Sequence, residues 1–150
     1  MDATFTFEIP GQPVPQPRAR MTRSGHAYTP DNGIRAYKAA TVLAAKLVAP
    51  AKIPSAAAHA VEMTFVIDRP PSHLRRDGGL TKAAPLFPPR RCGDWDNLAK
   101  GVCDAITDSG VVWLDDDQVV EALIRRRYAA AGEQARTVVA IRRLDNAAPP

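Results

Sequence analysis

Half of the carboxylates of this chain sit in one short segment, and their spacing suggests metal chemistry. Between Asp94 and Glu121 lie eight of the sixteen acidic residues and a single basic one, Lys100. The segment opens with Asp94-Trp95-Asp96-Asn97-Leu98-Ala99-Lys100 and closes with the run Asp115-Asp116-Asp117. Three adjacent aspartates repel one another and gain nothing from a turn that one aspartate could make, whereas a bound dication relieves the repulsion. All-oxygen donors select hard cations, so Mg²⁺ or Mn²⁺ suits the segment better than Zn²⁺. Such an ion can acidify a water and neutralise a scissile phosphate. Lys100 could stabilise the transition-state charge or orient that phosphate.

The surroundings suit a polyanionic partner. The chain has 150 residues and a formal charge of +4, with a pI near 9.4. The charge is segregated: residues 68–91 hold six Arg/Lys against two acids, and residues 122–144 hold six Arg against Glu133. A basic surface around an acidic island is what steering toward phosphate requires. Cys92 and Cys103 make neither a disulfide framework nor a four-ligand zinc site, and His26, His59 and His73 have no metal-ligand spacing. No apolar run approaches the ~20 residues of a membrane span. The N-terminus lacks the pattern of a signal peptide, so the expected setting is cytoplasmic.

The elements that must position these residues follow from periodicity. Thr4–Ile9 alternates as a strand, and four prolines between Pro10 and Pro17 impose an extended path. Arg18, Arg20 and Arg23 make a basic loop. Thr29-Pro30-Asp31 predicts a helix start, with Ile34, Tyr37, Thr41, Ala44, Ala45 and Val48 at helical spacing up to Pro50. Residues 51–60 read as a linker and Val61–Ile67 as a second strand. The Pro/Gly/Arg-rich stretch 68–93 has no period and is long for a structureless loop, which points to function or to partial disorder. A helix over Asn97–Asp108 is stopped by Ser109-Gly110. Val119–Tyr128 and Ala135–Arg143 read as a hairpin. The prediction is one α/β domain over residues 1–145, a small mixed four-stranded sheet with two helices packed on it in the order β-α-β-α-β-β. Its limited core area suggests a homodimer, and residues 146–150 read as a disordered tail.

In the second helix Leu98, Val102, Ala105, Ile106 and Ser109 fall on one face, while Asp96, Lys100, Asp104 and Asp108 fall on the opposite face. Asp94, in extended backbone before Asp96, can point to the same side. The return through Val111–Leu114 brings a third carboxylate from Asp115, Asp116 or Asp117 toward them, leaving Asp104 and Asp108 as surface charge. Each group also has a structural reading. Asp96 could be an N-cap worth about 1 kcal/mol, and Lys100 its i, i+4 partner worth a few tenths of a kcal/mol. A calcium EF-hand fails, because its fifth position counted from Asp94 would be Leu98 and its twelfth Ala105. No Gly-x-x-x-x-Gly-Lys-Ser/Thr phosphate loop is present, nor an Asp/Glu-x-Lys nuclease pattern.

The motif Asp94-Trp95-Asp96-Asn97-Leu98-Ala99-Lys100, then Asp104-Ala105-Ile106, then Trp113-Leu114-Asp115-Asp116-Asp117-Gln118-Val119 resembles the RusA family of Holliday-junction resolvases. Pro15-Gln16-Pro17-Arg18-Ala19-Arg20 and Tyr28-Thr29-Pro30 are similar to the same family, so the resemblance spans roughly residues 4–143. It implies a homodimeric, Mg²⁺-dependent endonuclease that makes paired nicks in four-way DNA junctions. By motif position it assigns catalysis to Asp94, Asp96, Lys100 and Asp116, and the metal to Asp94, Asp96 and Asp116. Asp115 or Asp117 could assist or substitute. Arg18, Arg20, Arg75, Arg76, Arg90 and Arg91 are candidates for the DNA backbone; the last four, in or at the edge of a Pro/Arg-rich stretch over Pro70–Arg91 that the compact family pattern lacks, match no motif. Two rival readings are a DNA-binding module with a structural ion and a nuclease for forks or flaps. The lysine at its fixed distance argues against the first, since a structural ion needs none.

Overall fold

The computed structural model describes residues 4–145; the tail expected at 146–150 lies outside the described residues. The first strand, β1 (Thr4–Pro10), buries Phe7 and Ile9 and exposes Thr6 and Glu8, as its alternation requires. The expected basic loop is partly paired: β2 (Arg20–Met21) and β3 (Ala27–Tyr28) form an exposed two-stranded ribbon. Helix α1 (Ile34–Val48) begins later than Thr29-Pro30-Asp31 suggests. The Asp31 carboxylate accepts from the Gly33 N–H at 2.9 Å, so these residues form a turn ahead of the helix. α1 buries Ile34, Tyr37, Thr41 and Ala45, and the Tyr37 and Thr137 hydroxyls meet at 2.6 Å inside the core.

Strand β4 (Ala58–Ile67) takes in the last residues of the expected linker. Helix α2 (Trp95–Ser109) buries Leu98, Val102, Ala105, Ile106 and Ser109, the face its periodicity marks. It ends at Gly110, whose N–H bonds the Thr107 carbonyl at 3.1 Å. A 3₁₀ turn at Asp116–Gln118 leads into β5 (Val119–Tyr128), and β6 (Arg136–Leu144) closes the chain. No helix among the described residues is long and apolar enough to cross a membrane.

The four long strands form one mixed sheet in the order β1-β6-β4-β5. The expected β5–β6 hairpin is not formed. β5 pairs with β4 in parallel, for example Met63 with Ile124, and β6 pairs antiparallel with both β4 and β1. A parallel neighbour needs a crossover, and α2 supplies it between β4 and β5. That places β5 on one side of β4 and leaves the other side to β6. Composition agrees with this order: β6 buries Thr137, Val139 and Ile141, whereas Arg-rich β5 buries only Tyr128 and suits an edge. Phe7, Met63, Phe65, Val139 and Ile141 of the sheet share a core with Leu98, Val102 and Ile106 of α2. Each such side chain contributes about 1.5–3 kcal/mol when fully buried. The frame beneath the acidic segment is therefore α2 packed against α1 and, through this shared core, against the sheet.

Candidate active site

The stretch 68–93 is stitched to the end of β5 rather than structureless. The Arg69 guanidinium lies 5.0 Å from the centre of the Tyr128 ring and donates to the Ala129 and Pro85 carbonyls, each at 2.7 Å. Nearer the acids, Arg126 donates to the Gly93 carbonyl at 2.7 Å. Gly93 has φ 99°, where a side chain is strained, and a Cβ there would stand 3.0 Å from Cβ of Pro15. This turn delivers Asp94 to the N-cap position of α2, where its carbonyl accepts from the Leu98 N–H at 3.0 Å. The cap is thus Asp94 rather than Asp96, and its carboxylate makes no capping bond. It turns instead to Arg90, at 3.7 Å.

The proline-rich segment covers the same helix end. Gln16 donates its backbone N–H to the Asn97 carbonyl at 3.0 Å. Gly101 faces this segment and α1: a Cβ there would stand in ordinary contact, 3.8 Å, with the backbone of Val14 and Gln16 and more tightly, at 3.3 Å, against Cδ1 of Ile34. Gln16, Arg90, Arg91, Asp94 and Asn97 line a cleft of about 500 Å³.

A second cleft, of about 400 Å³, lies along α2 and is lined by Lys38, Lys100, Asp104, Thr107, Asp115 and Asp116 among others. Its far wall is set by Gln118, which holds the 3₁₀ turn on four sides. The side-chain amide donates to the Ser55 and Ala57 carbonyls at 2.8 and 2.7 Å. The side-chain carbonyl accepts from the N–H groups of Leu114 and Asp115 at 2.7 and 3.1 Å. Asp115 caps the turn by accepting from the Asp117 N–H at 3.2 Å, and of the three aspartates Asp115 and Asp116 line the cleft. Burial pushes the Asp116 carboxyl above its usual range, and the adjacent Asp115 carboxyl pushes the same way; Lys100 opposes them. Burial likewise pushes the Cys103 thiol up to about 12.

Lys100 does not pair with Asp96 as its spacing allowed. Its ammonium bonds Asp104 at 3.3 Å, and this bond is the main reason its pKa is raised. Asp104 is not free surface charge either: it also pairs with Lys38 of α1 at 3.4 Å. Sequence reasoning missed Asp104, Lys38, Gln118 and Arg126. Only Asp104 and Gln118 carried a signal, as part of the quoted motif.

The expected ligands are therefore shared between two clefts, Asp94 in one and Asp116 in the other, with Asp96 exposed on the first turn of the helix. Among the described residues no three Asp, Glu, His or Cys side chains converge tightly enough to form a closed metal-binding group. The donor chemistry fits a hard divalent cation, since every candidate ligand is a carboxylate. Of the candidate arginines, Arg90 and Arg91 stand in the cleft of Asp94. Arg18 is exposed at the foot of the ribbon and Arg20 on its first strand. Arg75 and Arg76 lie on the exposed turn between Leu74 and Leu80, with Arg75 held by Asp77 at 3.2 Å.

No curated protein matches this chain. A family model does, described as Endodeoxyribonuclease RusA, and it covers residues 10–142 of the 150. With nearly its whole length matched, the chain belongs to the RusA family of endodeoxyribonucleases.

Proposed function

We propose that this protein is a magnesium-dependent endonuclease that resolves four-way DNA junctions by paired symmetric nicks, acting as a homodimer. The observation that carries the reading is the placement of Lys100. It lies one turn along α2 from Asp96 and lines the same cleft as Asp116. A single helix thus joins the Asp94–Asp96 end to the Asp116 cleft. Asp94, Asp96 and Asp116 would hold the ion, and Mn²⁺ could replace Mg²⁺. When bound, the ion supplies Lewis acidity toward a phosphate oxygen and acidifies water. Lys100 adds positive charge where the phosphorane develops. Arg90 and Arg91 beside Asp94 hold the strand by its phosphates, with Arg18, Arg20, Arg75 and Arg76 extending the track. Contacts of this kind position DNA without reading sequence and make binding strongly salt-dependent. Two equivalent sites related by a two-fold axis would match the symmetry of an open four-way junction.

The test is cleavage of a mobile four-way junction, a fork and a linear duplex, each with Mg²⁺ and with EDTA. Symmetric paired nicks in the junction alone, abolished by EDTA, are expected. Asp96→Asn is expected to bind the junction and fail to cut it. Metal-independent binding without cleavage by the unaltered protein would sink the enzymatic reading. Equal cutting of the fork would reassign the substrate.

A further inference from the structure

We propose that Asp104 is a positioning residue for cleavage, holding the Lys100 ammonium in place while being anchored itself by Lys38. The inference rests on the reading of this site as a nuclease centre. Lys100 is a long side chain, 60% exposed, and an exposed ion pair within one helix orders such a chain only weakly. The orientation here, lysine preceding the acid by four residues, is the less favourable one. Asp104 differs from an ordinary surface partner in two respects. Its side chain is only 29% exposed, and its second oxygen is taken by Lys38 at 3.4 Å, from a different helix packed against α2. One oxygen thus locks the carboxylate to α1 while the other, at 3.3 Å, receives Lys100.

The arrangement matters because the cleft holds competing acids. Asp115 and Asp116 line the same cavity, and Asp116 acts on Lys100 through space. Lys100 directs its hydrogen bond to Asp104 instead. The ammonium therefore lends its charge to the cleft while its hydrogen bond goes to Asp104 rather than Asp116. Freed from Asp104, Lys100 would collapse onto Asp116 or swing into solvent, and either change misplaces the positive charge.

Two readouts test this. In the metal-free protein, ¹⁵N relaxation of lysine ammonium groups should show Lys100 ordered, more mobile in Asp104→Asn and in Lys38→Met, and ordered again in Asp104→Glu. In single-turnover cleavage at saturating Mg²⁺, Asp104→Asn should lose on the order of tenfold to a hundredfold in rate, the usual cost of misplacing a catalytic group. Junction affinity and the Mg²⁺ concentration giving half the maximal rate should not change. In a Lys100→Ala background the same substitution should add no further loss, since it acts through Lys100. Equal Lys100 mobility in the unaltered protein and Asp104→Asn would overturn the proposal. So would an undiminished loss in the Lys100→Ala background, and a raised Mg²⁺ requirement would make Asp104 a ligand instead. Failure of the unaltered protein to cut junctions, with Lys100 still ordered by Asp104, would strike the nuclease reading and leave this contact standing.

Discussion

Gln118→Glu separates the positioning of Asp116 from the bulk of the fold, because it changes two hydrogen bonds and almost no volume. The introduced carboxylate keeps an acceptor for the Leu114 and Asp115 N–H groups but loses both donors, so the Ser55 and Ala57 carbonyls face a negative charge. Two lost hydrogen bonds at a net ~0.5–1.5 kcal/mol each give about 1–3 kcal/mol. Repulsion from the two carbonyls adds to this, and stronger charged bonds to the two N–H groups partly offset it. A loss of about 2 kcal/mol corresponds to a Tm lowered by roughly 4–8 °C in a chain of this size. The turn that presents Asp116 loosens first, so cleavage should slow more than melting suggests. The effect has a pH sign as well. Facing carbonyls and aspartates, the introduced carboxyl would have its folded pKa raised above the unfolded value. The part of the penalty that comes from its charge is therefore full above the folded pKa and disappears as pH falls below the unfolded one, about 4.3, while one of the two donors stays lost because a protonated carboxyl carries a single O–H. Melts and single-turnover rates across about pH 5–8 would measure this. A variant as stable and as fast as the unaltered protein at pH 8 would refute the reasoning, as would a Tm gap that widens on acidification.

Two further outcomes are expected. Gly93→Ala places a Cβ 3.0 Å from Pro15 at a φ of 99°, so it should cost about 1–3 kcal/mol in backbone strain and slow cleavage by displacing Asp94. An unchanged rate would show that this turn does not place Asp94. His59, 3% exposed and edge-on to Trp113 at 5.6 Å, has its pKa lowered first by burial, with the Ala57 carbonyl opposing and the charge of Arg143 adding. Its contribution to stability is full above the unfolded value of about 6.5 and is lost as pH falls toward the lower folded value. Urea unfolding at about pH 7.5 and about pH 5.5 should show that loss, and His59→Phe should flatten it; equal slopes in the two proteins would refute the assignment.

Local pattern carried much of this molecule. The 3.6-residue spacing of Leu98, Val102, Ala105 and Ile106 marked both the buried face of α2 and, by exclusion, the face bearing Asp96, Lys100 and Asp104. Alternation marked the four long strands within a few residues. Periodicity reports which side of a segment is buried, because that depends on residues within one or two turns of each other. It is silent on which segment lies beside which. The strand order β1-β6-β4-β5 arises because β4 offers two edges and the α2 crossover claims one of them. The same distinction divides the site. Acid residue types, their spacing and the lysine one turn away are local facts, and they pointed to metal-assisted chemistry without any fold. That Lys38 of α1 reaches Asp104, that Gln118 ties the Asp116 turn to residues 55 and 57, and that Arg126 grips the carbonyl before Asp94 are contacts between distant segments. Such contacts come into being only when packing of the core brings those segments together, so the tertiary structure alone decided them.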